Sequence, residues 1–499
     1  MMKTTDMNIT TWANERIHHD EISRYLGDGD DFIPVLEIEN LLDENRDPDP
    51  IWIRDIFNRA LSLETLLPHE VAALINLKDH DLCDEMAEVA LRIKKKVYDN
   101  RIVTFAPLYT GTLCVNNCAY CGFRTSNTGI KRRLLTGEEI CRETEVLAGK
   151  IGHKRLIVVY GEHPSSGIDY MLESLRCIYS VKVKTRNGYG DIRRANLNAP
   201  VMPIEELRLL HQAGIGTYQV FQETYHRPTY KKMHPPKTIK GNYHWRLYCM
   251  HRAFEAGIDD VGIGVLFGLY DWKFEVMGLL YHARELEKLY GIGPHTISFP
   301  RLEPAIDTPF NVQSPYMVSD RDFLHLVAVL RLAVPYTGMI VTARESAQMR
   351  MAAINRGCTQ TDASSRIGVG AYSLSENGQK EDHQQFLLGD TRTLDEVIRE
   401  LAQMGYITSF CTAGYRCGRT GKIIMDLLKS CTEGKFCKLN AVLTFREWLD
   451  DFASQETIAI SENLIKKEIE EIREKLPDFY TRFTEYYERI KAGERDLYF

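Results

Sequence analysis

The stretch Cys114-Val-Asn-Asn-Cys118-Ala-Tyr-Cys121 decides how this chain is read. Its cysteines, separated by three residues and then by two, fit on one short loop. Such a loop can wrap a cubane so that each thiolate takes one iron of a 4Fe–4S cluster. No fourth cysteine lies nearby, which leaves one iron open. Structural zinc is the competing reading, but zinc usually takes four nitrogen or sulfur ligands in paired spacings.

Around that loop the chain alternates short apolar runs with longer amphipathic stretches. The runs cover 102–109, 155–160, 191–198, 217–223, 260–268, 295–302, 336–344 and, more weakly, 358–362. Helical patterns fill most of the gaps, at 137–147, 168–178, 204–213, 245–256 and 274–290. Eight strand candidates separated by helices predict an α/β fold, a parallel βα barrel of the TIM type over 101–372. A doubly wound open sheet would show the same alternation. In a barrel the functional side chains stand at the C-terminal ends of strands. Tyr109, Glu162, Asn198, Glu223, Arg301 and Arg344 all fall at or just past the end of a run.

Residues 1–100 read as a helical leader, with Pro50 suited to a first helical turn. Further helices are expected over 62–77 and 84–98. Residues 373–499 read as a helical C-terminal domain that gathers four cysteines between Cys411 and Cys437.

With 499 residues, 44% hydrophobic and 26% charged, the composition is that of a globular protein. A net charge of −7 offers no basic excess to displace counterions from phosphates, so a nucleic-acid partner is not expected. No apolar run is long enough to span a bilayer, and residues 1–21 lack the apolar core of a signal peptide. Twelve cysteines in such a chain suit metal ligands and buried thiols in a reducing cytoplasm better than disulfides.

An open iron suits S-adenosylmethionine (SAM), whose amino and carboxylate groups can chelate it. Glu162, in Gly161-Glu-His-Pro164, is a candidate acceptor for the SAM ammonium, against the alternative of an ordinary polar loop. Gly262 and Gly264 lack dinucleotide-fingerprint spacing and read instead as a place for the adenosine to lie against backbone. Arg194, Asn198 and Glu223 complete the candidate SAM contacts. Arg344 offers a planar fork for a substrate carboxylate, or else a salt bridge to Glu345. His226 and His234 read as loop hydrogen-bond partners, and His282 as a partly buried helix histidine.

The cysteine loop, with Tyr120 before its last cysteine, resembles the signature of the radical-SAM superfamily. Phe105-Ala-Pro-Leu-Tyr109, the segments 214–226 and 257–270, and Pro335-Tyr-Thr-Gly-Met339 add a narrower likeness. Together they resemble the radical-SAM tyrosine lyases of the HydG type, which mature the FeFe-hydrogenase H-cluster and are related to ThiH. The resemblance implies that SAM cleavage generates a deoxyadenosyl radical, and that L-tyrosine is split at Cα–Cβ into p-cresol and dehydroglycine. It also implies a second, C-terminal cluster that yields CO and cyanide, a flavodoxin or ferredoxin electron donor, and other hydrogenase maturases as partners. Carried over by position, Cys114, Cys118 and Cys121 hold the SAM cluster, Arg344 grips the tyrosine carboxylate and Tyr109 stands near the substrate. His282 falls where the family places a ligand to a dangling iron.

The chain departs from that pattern at the second cluster. Cys411 and Cys437 occupy the outer positions of the family's three-cysteine motif, but Gly414 stands where the middle thiolate belongs. Either the cluster is lost or another thiolate replaces it, with Cys417 and Cys431 as candidates. Beside the first loop, Thr110-Gly-Thr112 replaces a more polar pair seen in relatives.

Overall fold

The computed structural model describes residues 9–27, 29–373, 381–429 and 433–499. Eight parallel strands form the barrel: β1 (Arg101–Tyr109), β2 (Arg155–Val159), β3 (Arg194–Asn198), β4 (Tyr218–Gln219), β5 (Val261–Gly264), β6 (Thr296–Ser298), β7 (Gly338–Val341) and β8 (Gln360–Asp362). Each pairs with the next, and β8 returns to β1 through Val103↔Gln360, Thr104↔Thr361 and Phe105↔Asp362. The sheet is closed, so the open-sheet alternative falls. All eight apolar runs contain a strand, but several strands are shorter than their runs. The ends of 217–223 and 260–268 leave the ladder and continue as loops, touching it through isolated bridges Glu223–Val265 and Phe267–Arg301.

The expected leader helices are present at Val35–Glu44, Pro50–Leu61, Pro68–Ile75 and His80–Tyr98. The third is shorter than the run 62–77. Leu63 is left-handed at φ 62°, and Glu70 returns to bond the Leu67 amide at 2.7 Å, so the helix starts at Pro68. Ile53, Ile56, Phe57 and Ala60 form the buried stripe of the second helix.

The C-terminal region, mostly helical, is tied into the barrel. A ninth strand, β9 (Ile407–Ser409), pairs in parallel with Arg101–Val103, the part of β1 that β2 leaves uncovered. The helix Glu433–Asp451 then lies under the barrel's N-terminal end. There Glu447 receives Lys154 Nζ at 3.0 Å and Arg193 Nη2 at 2.8 Å, all three buried. Burial alone would raise the Glu447 carboxyl, but the two cations outweigh it and hold it at about 2. Among the described residues no helix is long and apolar enough to cross a membrane.

Candidate active site and a second cysteine pocket

A cavity of about 240 Å³ opens at the C-terminal end of the barrel, and Tyr109, Cys114, Cys118, Cys121, Glu162 and Arg344 line it together with Asn198 and Glu223. Residues far apart in sequence, such as Tyr109 and Gln385 at 276 positions, meet there because the strands of a barrel all end on one rim. Arg132 shapes the cysteine loop by donating to the carbonyls of Thr112 (2.7 Å) and Phe123 (2.8 Å). The hydroxyls of Thr110 and Thr112 bond the carbonyls of Val159 and Lys131. His234 Nδ1 bonds the Tyr230 carbonyl at 2.9 Å, so its Nε2 accepts from the Tyr120 hydroxyl at 2.8 Å.

The donor set fits an iron–sulfur cluster. Burial pushes the Cys114 thiol up and Cys118 up to about 12, so thiolates persist here only when metal charge replaces their protons. Two side-chain amides already face sulfur, Asn116 Nδ2 at 3.8 Å from Cys114 and Gln385 Nε2 at 3.3 Å from Cys121. The pocket also fits an ammonium. Glu162 is buried, takes one bond from Asn116 on Oε2, and leaves Oε1 without a partner among the described residues. Burial raises its carboxyl, which adds to the demand for a cationic donor.

Glu223 is held differently, at a left-handed φ of 71°, by Lys240 Nζ at 2.6 Å and Arg246 Nη2 at 3.3 Å. Burial would raise it, yet these cations keep it below the usual carboxylate range. Arg344 does not pair with Glu345, which forms a two-pronged bridge to Arg301. Its guanidinium instead lies 3.3 Å over the Phe386 ring and makes no ion pair among the described residues. Burial pulls it below the usual guanidinium range. Tyr109 donates to Gln385 Oε1 at 3.0 Å, and burial keeps its phenol protonated.

Three of the expected SAM contacts lie elsewhere. Arg194 sits at the first residue of β3, so its side chain belongs to the opposite end of the barrel. It bonds the Gly214 carbonyl at 2.6 Å and lies 4.7 Å from the Tyr415 ring. Gly262 and Gly264 make room for the protein itself. A Cβ at Gly262 would stand 2.5 Å from Thr296 Oγ1, and one at Gly264 would stand 2.5 Å from the Ser298 carbonyl.

The second cysteine site is a smaller pocket of about 40 Å³ at the barrel's N-terminal end, lined by Cys411, Gly414, Cys437, Asp260 and His295. Gly414 has only the Arg419 carbonyl, at 3.6 Å, near where a Cβ would point. Cys417 does not fill that gap, since it is exposed and its Sγ bonds the Phe499 carbonyl at 3.4 Å. Cys431 lies outside the described residues. His282 is absent from this pocket. It is buried mid-helix against Phe32, with Nδ1 at 2.8 Å from the Tyr225 hydroxyl, and burial lowers its pKa to about 3. The imidazole that shares this pocket with Cys411 and Cys437 is His295, which immediately precedes β6 and lies 3.7 Å from Asp260 Oδ2. As the pocket stands, two thiols and a glycine do not reproduce a three-thiolate site.

Comparison with known proteins agrees with this geometry. Residues 108–278 match the radical SAM superfamily, and residues 298–407 match the biotin and thiamin synthesis associated domain. The barrel and its cysteine loop are thus those of a radical SAM enzyme, with the 4Fe–4S cluster and SAM that this class uses. More narrowly, the chain belongs to the HydG and 2-iminoacetate synthase family. It is 30% identical over 356 residues to the 2-iminoacetate synthase of Salmonella typhimurium, covering 70% of this chain and 87% of that protein. A crystal structure of HydG, a maturase of the FeFe-hydrogenase, superposes with a TM-score of 0.89 at 46% identity, over 94% of this chain and all of that one. HydG from Carboxydothermus hydrogenoformans gives 0.75 at 34% identity, over 95% and 99%.

Proposed function

We propose that this chain is a carbon–carbon lyase that cleaves L-tyrosine, or a close aromatic amino acid, at Cα–Cβ to give p-cresol and dehydroglycine. The observation that carries the reading is Arg344, a half-buried guanidinium that lines the cavity and makes no ion pair among the described residues. A cation partly withdrawn from water without an ion pair is costly, and a substrate carboxylate bound in two parallel bonds relieves that cost. Phe105, Ile157 and Ile340 form an apolar patch in the same cavity, suited to an aromatic ring. Cys114, Cys118 and Cys121 hold the cluster, and Glu162 Oε1 receives the SAM ammonium. Bound there, cluster and SAM supply one-electron radical chemistry. Tyr109, beside Arg344, orients the substrate amino acid. The electron donor is a flavodoxin or ferredoxin, in the cytoplasm.

A second reading extends the first, with dehydroglycine passing on to CO and cyanide for hydrogenase maturation alongside other maturases. It is favoured by the convergence of Cys411, Cys437 and His295 on one pocket, and opposed by Gly414. Anaerobic protein given SAM, reductant and tyrosine is expected to release 5′-deoxyadenosine and p-cresol. Deoxyadenosine without any cresol sinks the tyrosine reading. CO captured by deoxyhaemoglobin in the same reaction supports the extension, and its absence confines the enzyme to the first step.

A further inference from the structure

Gln385 belongs to a segment that follows the barrel strands in sequence yet returns across their C-terminal rim. Its neighbours anchor it there: the Asp382 carbonyl accepts from Lys131 N at 3.0 Å, and Leu387 N donates to the Pro304 carbonyl at 2.9 Å. Gly122, next to Cys121, is what allows so close an approach. A Cβ at that position would stand 2.5 Å from the Gln385 carbonyl oxygen. The Gln385 side chain then spans two functional groups, with Nε2 at 3.3 Å from Cys121 Sγ and Oε1 at 3.0 Å from the Tyr109 hydroxyl. A ligating thiolate can only accept, so the amide must turn its nitrogen to sulfur and its oxygen to the phenol.

We propose that Gln385 is a positioning residue that couples the two halves of the active site: it fixes the Tyr109 hydroxyl and tunes how readily the cluster on Cys121 accepts its electron. Reduction adds negative charge to an iron–sulfur cluster, and hydrogen bonds donated to its sulfurs are among the terms that set its potential. The Gln385 N–H therefore favours the reduced state, in which the enzyme works. The neighbouring Phe386 ring lies under the Arg344 guanidinium, so one short segment touches both the cluster side and the carboxylate side of the cavity. The inference rests on a cluster being bound at the cysteine loop, and it does not require tyrosine to be the substrate.

The test is an anaerobic redox titration of the reconstituted full-length protein, following the reduced-cluster EPR signal without tyrosine. Iron content is measured on the same samples, so failure to bind a cluster is recognised separately. Gln385→Leu removes the donor, and the midpoint is expected to move to more negative potential. Gln385→Glu keeps the shape but puts an acceptor against sulfur, and is expected to move it further in the same direction. Tyr109→Phe leaves the amide on sulfur and should hold the wild-type midpoint. Unchanged midpoints in both Gln385 variants overturn the proposal, as does an equal shift in Tyr109→Phe. If the wild type holds about four irons and both Gln385 variants hold none, Gln385 is a structural residue only and the proposal also fails.

Discussion

The two ends of the barrel present sulfur in unequal surroundings. At the C-terminal rim three thiols, two amide donors and an unpartnered carboxylate oxygen share a cavity of about 240 Å³. At the N-terminal end two thiols and one imidazole share about 40 Å³, with a glycine between them. The upper site is held by loops that bond to one another, as Arg132 and Asn116 show. The lower pocket is held by elements that need no metal, namely β9 on β1 and the buried Glu447 bridges. Completeness at one end therefore says nothing about the other, and a family's chemistry has to be argued separately for each.

That contrast can be broken most sharply from above. Cys118→Ala is expected to abolish cluster binding at the rim and with it deoxyadenosine release, read by visible absorbance, iron content and chromatography. Arg344→Leu should leave the cluster in place and lower kcat/KM for tyrosine roughly a hundredfold, the equivalent of about 3 kcal/mol for a lost buried charge pair. Normal turnover in that variant would remove the carboxylate clamp from the account.

The lower end responds through stability. The Glu447 carboxyl, at about 2 in the fold, lies below the ~4.3 of an unfolded chain. Its contribution of roughly 3 kcal/mol is thus complete above about pH 4.3 and lost as the pH falls toward 2. Glu447→Gln should lower the urea midpoint at neutral pH and flatten the acid limb between those values, while leaving the rim cluster intact. Gly414→Cys tests whether the pocket lacks only a ligand. The open space at Gly414 accepts a side chain, so the variant is expected to bind more iron per chain than the wild type. The smallest effect belongs to Arg194→Met, which should leave SAM affinity within about twofold, because an unpaired cofactor contact is the only route to a large loss.

How far the sequence could be read depended on how local each signal was. Most strands were legible because they sit in short apolar runs, β8 (Gln-Thr-Asp) only weakly so, and the cysteine loop was legible because its ligands lie within eight residues. Arg194 was misplaced by a matter of register. The apolar run begins at 191, whereas β3 begins at 194, which turns a mid-strand residue into one at the N-terminal end. The pattern reading of His282 as a buried helix histidine agrees with its place in the structure, whereas the ligand role came only from its position in the family resemblance; His295, just before a three-residue strand, gives no signal in the sequence. Gln385 gave no signal, since its partners Cys121 and Tyr109 lie 264 and 276 positions away and meet it only after the segment folds back over the rim.

β1 touches both ends: Arg101–Val103 pair with β9 near the lower pocket, and Tyr109 closes the same strand at the upper cavity. Its other neighbours, β2 and β8, keep it in place whatever β9 carries. A substitution in the lower pocket can therefore change its sulfur ligands without displacing the strand that carries Tyr109 to the upper cavity.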